Sequence, residues 1–83
     1  MSKNTLVKFS AFVLIEVHTG KLNSALKSLR AINDVKEIYP TTGPFDIIIS
    51  ISTSSLVEMR KLVTEGIHNI AGIKKTTTCI ISE

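Results

Sequence analysis

Two apolar runs of strand length constrain the fold more than any other feature of the sequence, and a shift of 34 positions places residues 13–17 of the first on residues 47–51 of the second. The first, AFVLIEV, occupies residues 11–17, and the second, IIISIS, occupies residues 47–52. Short runs rich in β-branched and aliphatic residues, bounded by Gly, Thr or Ser, are typical of strands. A helical pattern follows each run, so the chain consists of two successive strand–helix–strand units.

The helical patterns have apolar residues on one face. Residues 22–32 show the i, i+3, i+4, i+7 spacing of an amphipathic helix. The residues on that face are Leu22, Ala25, Leu26, Leu29 and Ile32. Ser55 and Glu58 match a capping box, which predicts the start of the second helix, and apolar residues continue at helical spacing to Ile70.

The remaining strand patterns lie at residues 35–41 and 73–82, and Pro40 favours an edge position for the first of them. The segment TTGPFD between the second and third strands predicts a hairpin turn. The resulting order, βαββαβ, is that of an α+β, ferredoxin-like sandwich. A chain of 83 residues has room for one such domain, which we place at residues 10–83 after an N-terminal segment, residues 1–9.

The two central strands are apolar on both faces, and a single layer of helices can cover only one of them. Phe12 and Leu14 in the first strand, and Ile48 in the third, point to the second face. Exposed apolar patches mark interaction sites. We therefore expect a homo-oligomer, at least a dimer, whose sheets pack on each other as in a dimeric α/β barrel. The alternative is that the chain's own N-terminal segment covers Phe12 and Leu14.

Charge and composition exclude several classes of function. The chain has 10 Lys and Arg against 7 Asp and Glu, a formal net charge of +3, without the basic run typical of nucleic-acid binding. No apolar stretch approaches the ~18 residues of a membrane span. The single cysteine, Cys79, excludes an internal disulfide, and His18 and His68 lack the further ligands of a metal site. We expect a cytoplasmic protein without cofactor or metal, and a buried Cys79.

Three segments carry a resemblance to a known family: AFVLIEV, DVKEIYPTTGPFDIIISI and IAGIKKTTTCIISE, which lie between residues 11 and 83. On these segments the chain resembles the effector-binding (RAM) domain of the Lrp/AsnC family of transcription regulators. The most specific match is Thr42-Gly43 followed by Asp46 at the start of the third strand. Pro44 departs from the family, in which many members have a charged or polar residue there, and this departure bears on effector choice.

The resemblance implies a non-enzymatic regulatory domain that responds to a small effector, commonly an amino acid. Family members pair through their sheets and assemble dimers into rings, and effectors lie between dimers. Only about ten residues precede the first strand, too few for the family's helix-turn-helix, so we expect no direct DNA binding. Output then passes through a partner protein, for which a full-length regulator of the same family is the candidate.

The resemblance also implies an effector site near the hairpin loop of one subunit and the last strand of a neighbour. The candidate ligand-binding residues are Thr41, Thr42, Gly43, Asp46, Thr76, Thr78 and Tyr39. Gly43 leaves its amide open to a carboxylate, and Asp46 can accept hydrogen bonds from a ligand ammonium or from amides of its own turn. Thr76 and Thr78 share one face of the last strand, but the sequence leaves open which face lines the site.

Two other functions share this topology. A dimeric α/β-barrel enzyme of the monooxygenase or isomerase type also pairs sheets, but no combination of base, orienting group and nucleophile supports it. An ACT-like amino-acid-binding domain would bind its ligand near Gly20, after the first strand, rather than near Gly43. The position of the ligand therefore discriminates between the two sensor hypotheses.

Overall fold

The computed structural model describes residues 8–81, which form strands and helices in the predicted order. The strands are β1 (Phe9–Val17), β2 (Val35–Pro40), β3 (Ile47–Thr53) and β4 (Ile73–Ile80). The helices are α1 (Leu22–Arg30) and α2 (Leu56–Lys61), and α2 continues into a π-helical segment, Leu62–Ile67. Within the described residues, neither helix has the length and apolar character needed to cross a bilayer.

The strands form one antiparallel sheet in the order β2-β3-β1-β4, the topology of the predicted ferredoxin-like α+β fold. The two most apolar strands, β1 and β3, occupy the centre, where burial is greatest. β2 lies at an edge and ends at Pro40, where a missing N–H costs no ladder hydrogen bond. β1 begins at Phe9, within the predicted N-terminal segment, whose residues 1–7 lie outside the described part of the chain.

The core lies between one face of the sheet and the helices. Alternate residues of the central strands, among them Val13, Ile15, Ile47 and Ile49, are fully buried there. The other core side chains are Ala11, Ala25, Leu26, Leu29, Ile51, Met59, Ile67 and Ile73. Each large aliphatic side chain that is fully buried contributes about 1.5–3 kcal/mol relative to exposure, so the strand alternation predicted from the sequence supplies most of the core.

Helix α1 is shorter than its apolar stripe. It ends at Arg30 instead of at the predicted Ile32. The amides of Ala31 and Ile32 donate to the carbonyls of Ser28 and Leu29 at 3.2 and 3.1 Å, three residues back. Such bonds tighten the last turn into a 3₁₀ conformation, which keeps Ile32 against the core although it follows the helix.

Helix α2 begins where the capping pattern predicts, but it does not stay regular. The Ser55 hydroxyl accepts the Glu58 amide at 3.0 Å. The Glu58 carboxylate accepts the Ser54 hydroxyl at 2.7 Å, so only half of the predicted capping box forms. Further along, the His68 amide donates to the carbonyl of Val63, five residues back, at 2.8 Å. This π-helical bond replaces the uniform helix that the apolar spacing predicted.

The second face of the sheet is open in the single chain. Phe12 is 42% exposed and Tyr39 is 49% exposed, while Leu14 and Ile48 are partly exposed. Leu14 lies beside Ile48, and Ile48 beside Tyr39, so these side chains form a continuous row across three strands. We refer to this surface, centred on Phe12, Leu14 and Ile48, as the open face. None of the described residues covers it.

Candidate functional site

Three connecting segments meet at one end of the sheet, which we call the hairpin end. They are the hairpin loop (residues 41–46), the turn after β1 (residues 18–21) and the segment before β4 (residues 68–72). The His18 amide donates to the Gly72 carbonyl at 2.8 Å and joins the second segment to the third. The candidate residues of the hairpin loop therefore lie at the same end of the sheet as two other connecting segments, which are hydrogen-bonded to each other.

Asp46 ties the hairpin loop to β1. Its amide donates to the Ile15 carbonyl at 2.8 Å, and its carboxylate oxygen Oδ2 accepts the Val17 amide, also at 2.8 Å. The β1–β3 register ends at Ile15 and Ile47, so Val17 has no backbone acceptor on that side. The Asp46 side chain supplies one and extends the ladder. Val17 was not among the residues predicted from the sequence. The one feature that could have indicated it is that β1 extends past the end of β3.

The rest of the hairpin loop presents free backbone amides. Thr41 is held on both sides, because its amide donates to the Asp46 carbonyl at 2.9 Å and its hydroxyl to the Phe45 carbonyl at 2.7 Å. Within residues 8–81, the amides of Thr42 and Gly43 have no hydrogen-bond partner. Gly43 has a φ of 141°, which favours glycine, and a Cβ there would meet no heavy atom within 4 Å. The loop tip is thus open to a ligand.

Tyr39 points to the open face, beside Ile48. Hydrogen bonding to the Glu37 carboxylate, followed by the negative charge of that group, raises the pKa of Tyr39 above its usual 10.0. The Ser50 hydroxyl also donates to Glu37, at 3.2 Å. Tyr39 therefore belongs to a small polar group at the margin of the open face, next to the hairpin loop.

The two threonines of β4 lie on the face that the helices cover. Thr76 is beside Ile15 and Thr78 beside Val13, both of which are core residues, whereas Thr77 shares the open face. β1 separates β4 from the hairpin loop, so two strand spacings, about 10 Å, lie between them. A single chain therefore brings the candidates of the hairpin loop together but does not bring Thr76 and Thr78 to them.

Cys79 is exposed, which corrects the expectation that it is buried. It pairs with Phe12, and alternation along β4 therefore turns its side chain to the open face. The sequence pattern of β4 could not show this, because the strand has no clear alternation of apolar and polar residues. Among the described residues, no group of three or more His, Cys, Asp or Glu side chains is arranged to hold a metal ion.

Comparison with known proteins decides the family. The family model described as the Lrp/AsnC ligand binding domain matches residues 10–83. The chain belongs to this family. This confirms the resemblance seen in the sequence: the chain is an Lrp/AsnC ligand-binding domain, and residues 8–81 include no DNA-binding helix-turn-helix.

Its curated relatives are transcriptional regulators. The chain is 31% identical over 71 residues to the HTH-type transcriptional regulator FL11 of Pyrococcus horikoshii, covering 86% of this chain and 46% of that protein. FL11 of Pyrococcus abyssi is 32% identical with the same coverage. The chain thus spans about half the length of the curated relatives that it matches.

Solved structures agree with the fold. FFRP-DM1 matches with a TM-score of 0.86 and 31% identity, over 89% of this chain and 99% of that one. Escherichia coli AsnC matches with a TM-score of 0.86 and 28% identity, over 90% of this chain and 51% of that one. The ferredoxin-like topology is therefore the one that Lrp/AsnC ligand-binding domains adopt.

Proposed function

We propose that this domain binds an α-amino acid at the hairpin end and acts as a non-enzymatic regulatory domain. The proposal rests on the hairpin loop, in which two unbonded backbone amides and a carboxylate belong to the same six residues. Amides attract a carboxylate and a carboxylate attracts an ammonium, so the loop offers both halves of amino-acid recognition. The family's description as a ligand binding domain and its relatives' names as regulators support a sensing role.

In the proposed complex, the ligand carboxylate accepts hydrogen bonds from the amides of Thr42 and Gly43. The ligand ammonium donates to Oδ1 of Asp46, since Oδ2 already accepts an amide of β1. The ammonium also donates to the Thr41 hydroxyl oxygen, whose hydrogen is already given to a carbonyl of the loop. Each polar group of an α-amino acid then has a partner within one loop.

The remaining candidates take other roles in the proposal. Tyr39 forms a wall of the site, because its ring lies next to the loop and is about half exposed. Thr76 and Thr78 contribute from a neighbouring subunit, since β1 lies between β4 and the hairpin strands of their own chain. The complete site then requires two subunits, and ligand binding stabilises the assembly by mass action.

The assembly that we propose is a homo-oligomer built on pairs of sheets. Phe12, Leu14 and Ile48 pack against the same residues of a second copy, which removes the exposed apolar row from water. Dimers can associate further into rings through the hairpin ends. In the cytoplasm, the domain co-assembles with a full-length regulator of its own family, which passes the signal on.

The proposal is tested with two glycine variants at positive φ. Gly20 and Gly43 both have positive φ, 81° and 141°, and a Cβ at either position would meet no heavy atom within 4 Å. Alanine at each therefore costs about 1 kcal/mol or more of backbone strain without a clash. A thermal-shift screen with the twenty amino acids identifies the effector, and calorimetry then measures its affinity for the protein, Gly43→Ala and Gly20→Ala.

We expect affinity to fall at least about tenfold in Gly43→Ala and to stay within twofold in Gly20→Ala. The reverse result would transfer the site to the turn after β1 and favour the ACT-like alternative. Turnover of a substrate would favour the barrel-enzyme alternative. For the partner, co-expression with a full-length family regulator should give mixed assemblies, and the recovery of only homomeric ones would contradict co-assembly.

A further inference from the structure

A cavity lies on the helix side of the sheet, along the edge strand β4. Its volume is about 300 Å³, close to the lower limit of small-molecule sites. It is a cleft with two walls. One wall is a stripe along α2 and its π-helical extension, and the other is one face of β4. The lining residues are Leu56, Met59, Arg60, Val63, Thr64, Thr78 and Ile80.

The cleft is a consequence of the fold. Its helical residues recur at i, i+3, i+4, i+7 and i+8, which is one continuous face. Its strand residues, Thr78 and Ile80, alternate along β4 and therefore also share a face. The two faces do not pack against each other, so Leu56 remains 49% exposed and Ile80 55% exposed. The cleft therefore opens to solvent along the edge of β4.

The charge of the lining points to an anion with an apolar body. Among the described residues of the lining, Arg60 alone is charged, and the others are aliphatic except for two threonines. The Thr64 hydroxyl already donates to the Arg60 carbonyl at 2.9 Å, which leaves Arg60 and Thr78 as donors toward the cavity. The lining residues within positions 8–81 include no carboxylate, so they offer no partner to the ammonium of an α-amino acid.

We propose that this cleft binds a small apolar monocarboxylate that has no α-ammonium, such as a medium-chain fatty acid. The carboxylate pairs with the Arg60 guanidinium and accepts the Thr78 hydroxyl, and the alkyl chain lies against Leu56, Met59 and Ile80. The site is separate from the hairpin loop, since Ile80 lies beside Ala11, far along β1 from the hairpin end. The cleft shares Thr78 with the residues that a neighbouring subunit contributes to the proposed amino-acid site, so the tests use Arg60 and Leu56, which that site does not include.

Octanoate is the probe, with octylammonium and 1-octanol as matched ligands of different charge. For a ligand of this size we expect a dissociation constant of roughly 0.1–1 mM by calorimetry. Arg60→Gln should weaken octanoate at least about tenfold, because a charge-assisted hydrogen bond is lost. Arg30→Gln is the control, since Arg30 is also an exposed arginine in the last turn of its helix. It should leave the affinity unchanged.

A second measurement locates the ligand independently of Arg60. The chain has no tryptophan, so Leu56→Trp places a single fluorophore at the cleft. Val57→Trp places one on the neighbouring residue, which is 68% exposed and is not part of the lining. Octanoate should shift the emission of Leu56→Trp to shorter wavelength and leave that of Val57→Trp unchanged.

Several results would overturn the proposal. If octylammonium or octanol bound as tightly as octanoate, Arg60 would have no role in recognition. The same would follow if Arg30→Gln weakened octanoate binding as much as Arg60→Gln does. Equal emission shifts in both tryptophan variants would indicate non-specific binding. Absence of octanoate binding, together with a change of sedimentation coefficient in Leu56→Trp, would show that the cleft is a contact between copies of the chain.

Discussion

Replacing Phe12 tests whether a second copy covers the open face. A phenylalanine side chain buries about 200 Å² when fully enclosed, and Phe12 is 42% exposed, which leaves about 85 Å² for a partner to cover. At about 25 cal/mol per Å², this area contributes ~2 kcal/mol per copy, or ~4 kcal/mol per symmetric dimer. Phe12→Ser should therefore raise the dimer dissociation constant about a thousandfold.

The assay is sedimentation velocity over a dilution series, with Val57→Ser as the control. Val57 is more exposed than Phe12, at 68%, but lies on α2 and away from the open face. Cys79 provides a second readout, because it pairs with Phe12 and is exposed in the single chain. Its labelling by a maleimide should be slow in the dimer and fast in Phe12→Ser. A monomeric parent protein, or equal dissociation of both variants, would refute sheet pairing.

Three further predictions concern single interactions. Asp46→Ala should destabilise the domain by about 1.5–3 kcal/mol in urea unfolding, because an amide of β1 loses its charged acceptor, and Asp46→Asn should recover part of this loss. Ser55→Ala should cost about 1 kcal/mol through the lost helix cap, whereas Ser54→Ala should stay within about 0.5 kcal/mol. Tyr39, the single tyrosine, should titrate above 10.0 in absorbance because Glu37 raises its pKa, and Glu37→Gln should lower the midpoint.

The strands of the sheet were predictable because their signals are local. Alternate burial of Val13 and Ile15, and of Ile47 and Ile49, follows from a period of two in the sequence. The hairpin was predictable for the same reason, since a Gly-Pro turn between two strands leaves few alternatives. Pro40 indicated an edge strand, because it cannot donate to a ladder. These features depend on neighbours in the sequence, and they were sufficient for the topology.

The details of the site were less predictable, because they depend on residues distant in the sequence. Oδ2 of Asp46 accepts Val17, 29 positions away, and this bond exists because β1 runs past the end of β3. The faces of Thr76 and Cys79 depend on the register between β4 and β1, which a run of threonines does not specify. The π-helical turn after α2 likewise has no local pattern that distinguishes it from a regular helix.

By itself, the sequence determined the order of the elements, the central position of β1 and β3, and the presence of apolar residues on both faces of the sheet. These follow from periodicity, which each segment carries whether or not the chain has folded. Only the tertiary structure decided that Thr76 and Thr78 lie on the helix-covered face of β4, two strands away from the hairpin loop, and that Thr78 shares a cleft with Arg60. The physical reason is that strand register and helix placement are set by the packing of the whole domain, and that packing decides which side chains meet.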